Sequence, residues 1–182
     1  MEFTLMYNDY FASPLGLMEF KASDKGITQA IFCGTEQGVV QPNDITEQCK
    51  KELAEYFFKG RSVFDVPLAP QGTHFQKTVW QCLSKIPFGE TVSYLHIAKR
   101  INNPKGSQAV GGANGRNPIS IIVPCHRVIG ANGSLTGYAG GIERKLWLLN
   151  HEGIAIKVTK ENKQLNINNV IDSRQEKTEF LR

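Results

Sequence analysis

The chain has 182 residues, enough for one large or two small domains, and 41% are hydrophobic, which is typical of a globular protein. No apolar run approaches the ~20 residues of a membrane helix, and the segment from Met1 to Pro14 lacks the apolar core of a secretory signal. The cysteines are far apart and form no C-x-x-C pair, which argues against a zinc site or a disulfide framework. We therefore expect a cytoplasmic protein without a bound metal.

Charge is unevenly distributed along the chain. Residues 1–69 contain 6 Lys/Arg and 10 Asp/Glu, a net charge of −4, whereas residues 70–153 contain 9 and 3, a net charge of +6. A basic segment beside an acidic one indicates a polyanionic partner for the basic half. A charge of this moderate size is equally consistent with an ordinary solvated surface.

Residues 1–66 have the pattern of a small domain with strands and one helix. The apolar runs predict four strands, at Phe3–Tyr7, Gly16–Ala22, Ile27–Phe32 and Ser62–Val66. The turn SDKG joins the second and third of them in a hairpin. Asp44 followed by Glu47 predicts the N-cap of a helix that extends to Lys59 and ends at Gly60. The run VPLAPQG then indicates a linker over residues 67–72.

Residues 73–158 begin with helical signals. Thr73 and Gln76 predict a capping box, Ser93 the start of a short helix over Tyr94–Ile101, and Ser107 the cap of a third helix. Two short helices around a tight turn fit a helix-turn-helix or a plain helical hairpin. The small side chains of the third helix favour the helix-turn-helix, because a smooth helix can lie close to a nucleic acid.

The run from Ile119 to Gly130, ISIIVPCHRVIG, is the most informative stretch for chemistry. Its apolar part predicts a buried strand that ends at Pro124. Cys125 and His126 could form a sulfur nucleophile with its base, although a lone cysteine is more often a small core residue. Neighbouring residues on a strand point to opposite faces, so the pair can cooperate only if the backbone turns or a water bridges them.

The residues around this motif carry a family resemblance. PCHRVIG, preceded by Asn117 and Pro118 and followed by GYAGG, resembles the O6-alkylguanine-DNA alkyltransferases, or methylated-DNA–protein-cysteine methyltransferases, which repair DNA directly. The resemblance extends from about Phe75 through FGETVSY, AVGGANGRNPI and PCHRVIG to WLLNHEG, ending at Gly153. It implies an α+β protein with a small N-terminal α/β domain that has a short antiparallel sheet. A mainly helical, winged helix-turn-helix-like DNA-binding and catalytic domain follows.

The same resemblance implies a monomer that needs no cofactor and acts on double-stranded DNA containing O6-alkylguanine; activity on O4-alkylthymine stays open. The damaged base must leave the stack before a protein nucleophile can reach it. Cys125 would then accept the alkyl group irreversibly, His126 would take the thiol proton through a water, and Glu152 would orient the imidazole. Asn117 would brace the loop under the site, and the Tyr94 hydroxyl would serve N3 of the base.

The remaining implied residues bind the base or the duplex. The base would contact Tyr138, Ala139, Val128 and Gly137. DNA would contact Gln108, Ala109, Gly111, Lys105, Arg116 and Arg100, with Lys99 as a further candidate. Gln108 departs from the family pattern, in which most members place Arg to fill the gap left by the flipped base. We expect weaker DNA affinity and slower flipping from the shorter, uncharged Gln, without loss of the chemistry.

Three other functions fit parts of the pattern. A relative that binds alkylated guanine without accepting the group would lack the cysteine, which is present here. A cysteine hydrolase would need an oxyanion hole and would turn over. A plain DNA-binding regulator would tolerate Cys125→Ser. The resemblance includes neither a predicted strand at Ile154–Val158 nor the polar tail at residues 159–182, to which we assign no function.

Overall fold

The computed structural model describes residues 5–156, in which a small sheet with one helix precedes a half that carries four helices. The strands pair antiparallel in the order β1, β2, β3. The first half comprises β1 (Tyr7–Ser13), β2 (Gly16–Ser23), β3 (Gly26–Phe32) and α1 (Asp44–Lys59). The second half comprises α2 (His74–Leu83), β4 (Val92–Ser93), α3 (Tyr94–Arg100), α4 (Ser107–Gly115), β5 (Val128–Ile129) and α5 (Ile142–His151). This architecture confirms the predicted α+β fold.

Residues 3 and 4 of the strand predicted at Phe3–Tyr7 lie outside the described residues. Leu5 and Met6 are not in a strand, and β1 begins at Tyr7, where the predicted strand ended. A tight turn between β1 and β2 sets the register. The Ser13 hydroxyl donates to the Gly16 carbonyl at 2.7 Å and accepts the Leu15 N–H at 3.1 Å. The predicted hairpin of β2 and β3 is confirmed to within one residue at each end.

Helix α1 ends at Lys59 as predicted, but its cap lies one residue earlier than predicted. Asn43, not Asp44, is the N-cap: its side chain accepts the Thr46 N–H at 2.9 Å, and the Thr46 hydroxyl accepts the Asn43 N–H at 2.9 Å. Asp44 lies in the first turn instead, where its negative charge interacts favourably with the positive end of the helix dipole.

The predicted strand at Ser62–Val66 does not form. Glu52, a buried residue of α1, accepts the backbone N–H groups of Asp65 at 2.9 Å and Val66 at 3.1 Å through one carboxylate oxygen. A side chain therefore satisfies these donors in place of a neighbouring strand.

The free edge of β3 receives two later segments of the chain. Ile27 bridges in parallel with Leu68 of the proline-rich connection, and Ala30 bridges in parallel with Ile119. The Ala30 N–H donates to the Pro118 carbonyl at 2.8 Å. The small sheet therefore anchors the segment that leads to the PCHR motif.

The helix-turn-helix comprises α3, residues 101–106 and α4, and both helices pack against each other and against α2. Thr73 caps α2 and Ser93 caps α3 as predicted. Ser107 does not cap α4: the N-cap position is Gly106, without a side-chain hydrogen bond, and Ser107 is already helical. Strand β5, directly after the PCHR motif, pairs in parallel with β4, directly before α3.

The last helix, α5, ends at His151, directly before Glu152. The described part of the predicted strand at Ile154–Val158 is not a strand, because residues 154–156 have no ladder partner. The rest of that strand and the polar tail at residues 159–182 lie outside the described residues.

Candidate active site

The segment before the PCHR motif is a tight loop rather than the predicted buried strand. Ile121 has φ 72° although it is β-branched and fully buried, a conformation that costs about 1–3 kcal/mol and is often found near functional sites. Asn117 stabilises the loop: its amide donates to the Val123 carbonyl at 2.8 Å, and its oxygen accepts the Ile119 N–H at 3.0 Å. The loop directs the chain into the site.

Cys125 opens a 3₁₀ turn, Cys125–Arg127, so the backbone bends between the thiol and the imidazole. Only 4% of Cys125 is exposed. Burial raises the pKa of its thiol, whereas a hydrogen bond from Asn117 and the charge of Lys145 oppose that rise. The thiol is thus protonated at rest, and two groups are placed to stabilise its thiolate.

The three residues His126, Arg127 and Glu152 form a buried charged network at the end of α5. His126 Nε2 lies 2.7 Å from Glu152 Oε1, and Arg127 Nε donates to Glu152 Oε2 at 2.8 Å. Burial alone would raise the pKa of Glu152, but the hydrogen bonds and charges of His126 and Arg127 lower it to about 2. Burial lowers the pKa of His126, against the opposing effect of Glu152. Glu152 is therefore ionised at neutral pH, and His126 is neutral.

These charges define the histidine tautomer. A carboxylate only accepts, so His126 Nε2 carries the hydrogen and Nδ1 holds a lone pair. Nδ1 is buried without a hydrogen-bond partner among residues 5–156, as are Asn114 Oδ1 and the Tyr138 hydroxyl. Buried polar groups without a partner are rare in folded proteins, and a role in catalysis is one explanation for them.

Lys145 is a site residue that the sequence did not reveal. Its side chain is fully buried in α5, and its ammonium donates to the Val128 carbonyl at 2.6 Å and the Thr136 carbonyl at 2.7 Å. Burial lowers the pKa of Lys145 to about 8, while the neighbouring thiol of Cys125 opposes that fall. At neutral pH the lysine is a buried cation beside the nucleophile.

Tyr94 and the glycine-rich loop form one wall. The Tyr94 hydroxyl donates to the Thr136 carbonyl at 2.8 Å. A Cβ on Gly137, which has φ 68°, would lie 2.8 Å from that hydroxyl, so this close approach requires glycine. Tyr138 is buried beside the loop, and Ala139 is exposed. The structure thus brings Tyr94, Gly137 and Tyr138 together.

The predicted DNA contacts lie on or beside the helix-turn-helix. Gln108, Ala109, Lys105, Arg116 and Arg100 are exposed, as is Lys99, whereas Gly111 is half-buried. A Cβ on Gly111 would meet only ordinary contact with the Tyr94 ring, 3.8 Å away. Asn114, on the buried side of α4, donates to the Cys125 carbonyl at 3.3 Å and to the Gly137 carbonyl at 3.4 Å. One face of α4 is thus open to a partner, and the other supports the nucleophile.

Sequence reasoning missed Arg127, Lys145 and Asn114 as members of the site. Lys145 offered one signal, since it interrupts an apolar face of α5 at a position where neighbouring residues are buried. No group of three or more His, Cys, Asp or Glu within residues 5–156 is arranged to hold a metal ion. A thiol, an oriented imidazole and a buried cation thus lie together, which are the groups that nucleophilic chemistry at sulfur requires.

Two family profiles match almost all of the described chain. Residues 74–154 match the profile described as "6-O-methylguanine DNA methyltransferase, DNA binding domain". Residues 6–70 match the one described as "6-O-methylguanine DNA methyltransferase, ribonuclease-like domain".

Curated relatives and solved structures are also similar over most of their length. A methylated-DNA–protein-cysteine methyltransferase of Methanosarcina acetivorans is 48% identical over 154 residues, which cover 81% of this chain and 99% of the relative. The constitutive one of Bacillus subtilis is 52% identical over 156 residues, which cover 80% and 94%. The crystal structure of Mycobacterium tuberculosis OGT in complex with DNA has a TM-score of 0.73 and 43% identity, covering 80% of this chain and 92% of that one.

Proposed function

Because this chain belongs to the methylated-DNA–protein-cysteine methyltransferase family, we propose that it repairs DNA by moving the alkyl group from O6 of guanine to Cys125. The observation that carries this proposal is a buried cysteine directly before a histidine that an ionised carboxylate orients. The similarity to a protein solved in complex with DNA supports DNA as the partner, and we propose that the DNA is double-stranded. One chain supplies all the site residues described above, which supports action as a monomer.

The first chemical step is removal of the thiol proton. His126 Nδ1 takes the proton from Cys125, directly or through one water. Throughout this step the Nε2–H of His126 remains hydrogen-bonded to Glu152. The carboxylate stabilises the imidazolium that forms. Asn117 and Lys145 stabilise the thiolate, since both already lower the pKa of the thiol.

The second step is a single displacement. The thiolate sulfur attacks the alkyl carbon, the S–C bond forms as the C–O6 bond breaks, and the electron pair remains on O6 of guanine. The guanine anion accepts one proton, so that overall the alkyl group and the thiol proton exchange places. Tyr94 of α3, whose hydroxyl reaches the Thr136 carbonyl of the glycine-rich loop, is the candidate donor of that proton. The thioether has no ready leaving group, and each chain therefore reacts once.

The burial of the thiol requires the base to enter the protein. With 4% of Cys125 exposed, a guanine stacked in a duplex cannot reach the sulfur, whereas an extruded nucleotide can. We propose that α4 enters the minor groove with Gln108 and Ala109 exposed toward the bases, and that Lys105, Arg116 and Arg100 contact phosphates. Gln108 fills the gap in the duplex.

We propose that the protein acts in the cytoplasm. All four cysteines are free thiols, and a thiol nucleophile needs a reducing compartment. In the part of the chain that is described, no helix has the length and apolarity to cross a membrane.

The proposed function is tested by titrating the protein with duplex DNA that carries one radiolabelled O6-methylguanine. We expect label on the protein to rise to one equivalent and stop. Cys125→Ser should abolish transfer, whereas Cys33→Ser, which removes a more exposed thiol of the first half, should transfer like the parent. Continued release of methanol or another soluble product would favour a hydrolase, and transfer by Cys125→Ser would refute the assignment.

A further inference from the structure

Tyr56 belongs to the N-terminal half but contacts the catalytic carboxylate. Its hydroxyl donates to Glu152 Oε1 at 2.8 Å, across 96 positions of sequence. The side chain is fully buried, and its ring contacts Phe64 and Phe88. The Tyr56 backbone carbonyl lies 2.9 Å from His151 Nε2, next to Glu152 in sequence. The packing of the ring and the backbone contact to His151 thus fix the position of the Tyr56 hydroxyl.

The oxygen that Tyr56 contacts is the one that orients the histidine. Glu152 Oε1 accepts from Tyr56, from His126 Nε2 at 2.7 Å and from Arg127 Nη2 at 3.0 Å. Oε2 accepts from Arg127 Nε at 2.8 Å and from the Gly89 N–H at 3.2 Å. A carboxylate has about four lone-pair sites, so these five donors saturate it. The donors on Oε1 therefore compete for the same negative charge.

We propose that Tyr56 is a positioning residue for the alkyl transfer: by donating to Glu152 it limits how strongly His126 holds a proton. This inference rests on the proposed function. Each donor on a carboxylate disperses its charge, so an imidazolium beside it is stabilised less. Without the tyrosine hydroxyl, Oε1 keeps two donors and attracts the histidine proton more strongly.

The charged groups that face this pair come from several elements. Arg127 of the 3₁₀ turn and Lys145 of α5 both lower the pKa of His126, and Glu152 at the end of α5 raises it. Tyr56 itself does not ionise, because burial and the charge of Glu152 hold its pKa well above the usual value. Its effect is therefore that of a neutral donor throughout the working pH range.

The consequence for the reaction is a shift on the pH axis. Transfer requires neutral His126, so the rate falls as the pH drops through the pKa of His126. Tyr56→Phe should raise that pKa and move the acid limb of the rate profile to higher pH by roughly 0.5–1 pH unit. At a pH below the limb the variant should therefore be about 3- to 10-fold slower, with a smaller difference at alkaline pH.

The experiment measures single-turnover methyl transfer from O6-methylguanine duplex between pH 5 and 9, together with the ¹⁵N NMR titration of His126. The matched control is Tyr10→Phe, which removes a buried tyrosine hydroxyl that is bonded to Glu19 and the Gln37 carbonyl instead of Glu152. A second variant carries 3-fluorotyrosine at position 56, a stronger donor of nearly the same shape, and should shift the limb in the opposite direction.

The outcomes separate this inference from the proposed function. A parent protein that accepts no methyl group refutes the function, whatever the NMR titration shows. A parent that transfers normally, with the same profile and the same His126 titration in Tyr56→Phe and Tyr10→Phe, overturns the role of Tyr56. A uniform rate loss at all pH values also overturns it, because that result indicates a merely structural tyrosine. Opposite shifts in the two position-56 variants support it.

Discussion

Replacing Glu152 by Gln should remove the charge that holds the site together. The side chain accepts hydrogen bonds on both oxygens, and its partner Arg127 is 5% exposed. In Glu152→Gln the buried guanidinium faces an amide whose NH₂ group cannot accept a hydrogen bond. Breaking a buried ion pair from one side typically costs 3–5 kcal/mol.

The pKa of Glu152 gives an independent magnitude. A pKa lowered from 4.5 to about 2 in the folded protein corresponds to about 3 kcal/mol of stability at neutral pH. Because the folded-state pKa is the lower one, this contribution is complete above pH 4.5 and is lost as the pH falls toward 2. The difference between the parent and Glu152→Gln should follow the same course, since a protonated carboxyl resembles an amide.

The assay is urea unfolding of both proteins from pH 7 downward, with Glu90→Gln as control because Glu90 is an exposed carboxylate in a nearby turn. We expect Glu152→Gln to lose about 3 kcal/mol at pH 7 and progressively less below pH 4.5, and the control to lose under ~0.5 kcal/mol. A loss at pH 7 no larger than that of the control, or one that grows as the pH falls, would refute the reasoning.

Three further variants test other parts of the site. Lys145→Met removes the buried cation, so we expect the pKa of the nucleophile to rise and single-turnover transfer at pH 7 to slow by about tenfold or more; an unchanged rate would contradict the role of Lys145. Gly137→Ala should displace the Tyr94 hydroxyl and slow transfer. Gly133→Ala, also at positive φ but with open space around it, should reduce stability without slowing transfer. Equal rates in the two variants would show that the close approach of Gly137 to Tyr94 does not matter for transfer. Gln108→Arg should bind duplex more tightly and react faster, and if neither changes, Gln108 does not limit repair.

Local signals in the sequence predicted much of the fold. The predictions that Thr73 and Ser93 cap their helices were correct, because each cap is a local contact between a side chain and the backbone N–H three residues later. The cap of α1 was wrong by one position, since Asn43 and Asp44 are both good caps and the extended backbone of Asn43 decides between them. The turn SPLG between β1 and β2 was a readable signal that would have corrected the first strand.

Contacts between distant parts of the chain could not be predicted. The apolar run before Pro124 has the composition of a strand, but its loop depends on Asn117 and on the edge of β3. Tyr56 has the pattern of a core residue of α1, and nothing near it in sequence indicates Glu152 as its partner. The PCHR motif and the family resemblance identified Cys125, His126 and Glu152 as candidates. The contributions of Arg127 and Lys145 to their pKa values became visible only in the folded chain.

The most direct test of the central claim is the intact mass of the protein after reaction with excess O6-methylguanine duplex, followed by mapping of the modified peptide. We predict a gain of one methyl group per chain, located on Cys125, with no further gain on longer incubation. An unmodified protein, or a methyl group located on another residue, would contradict the account.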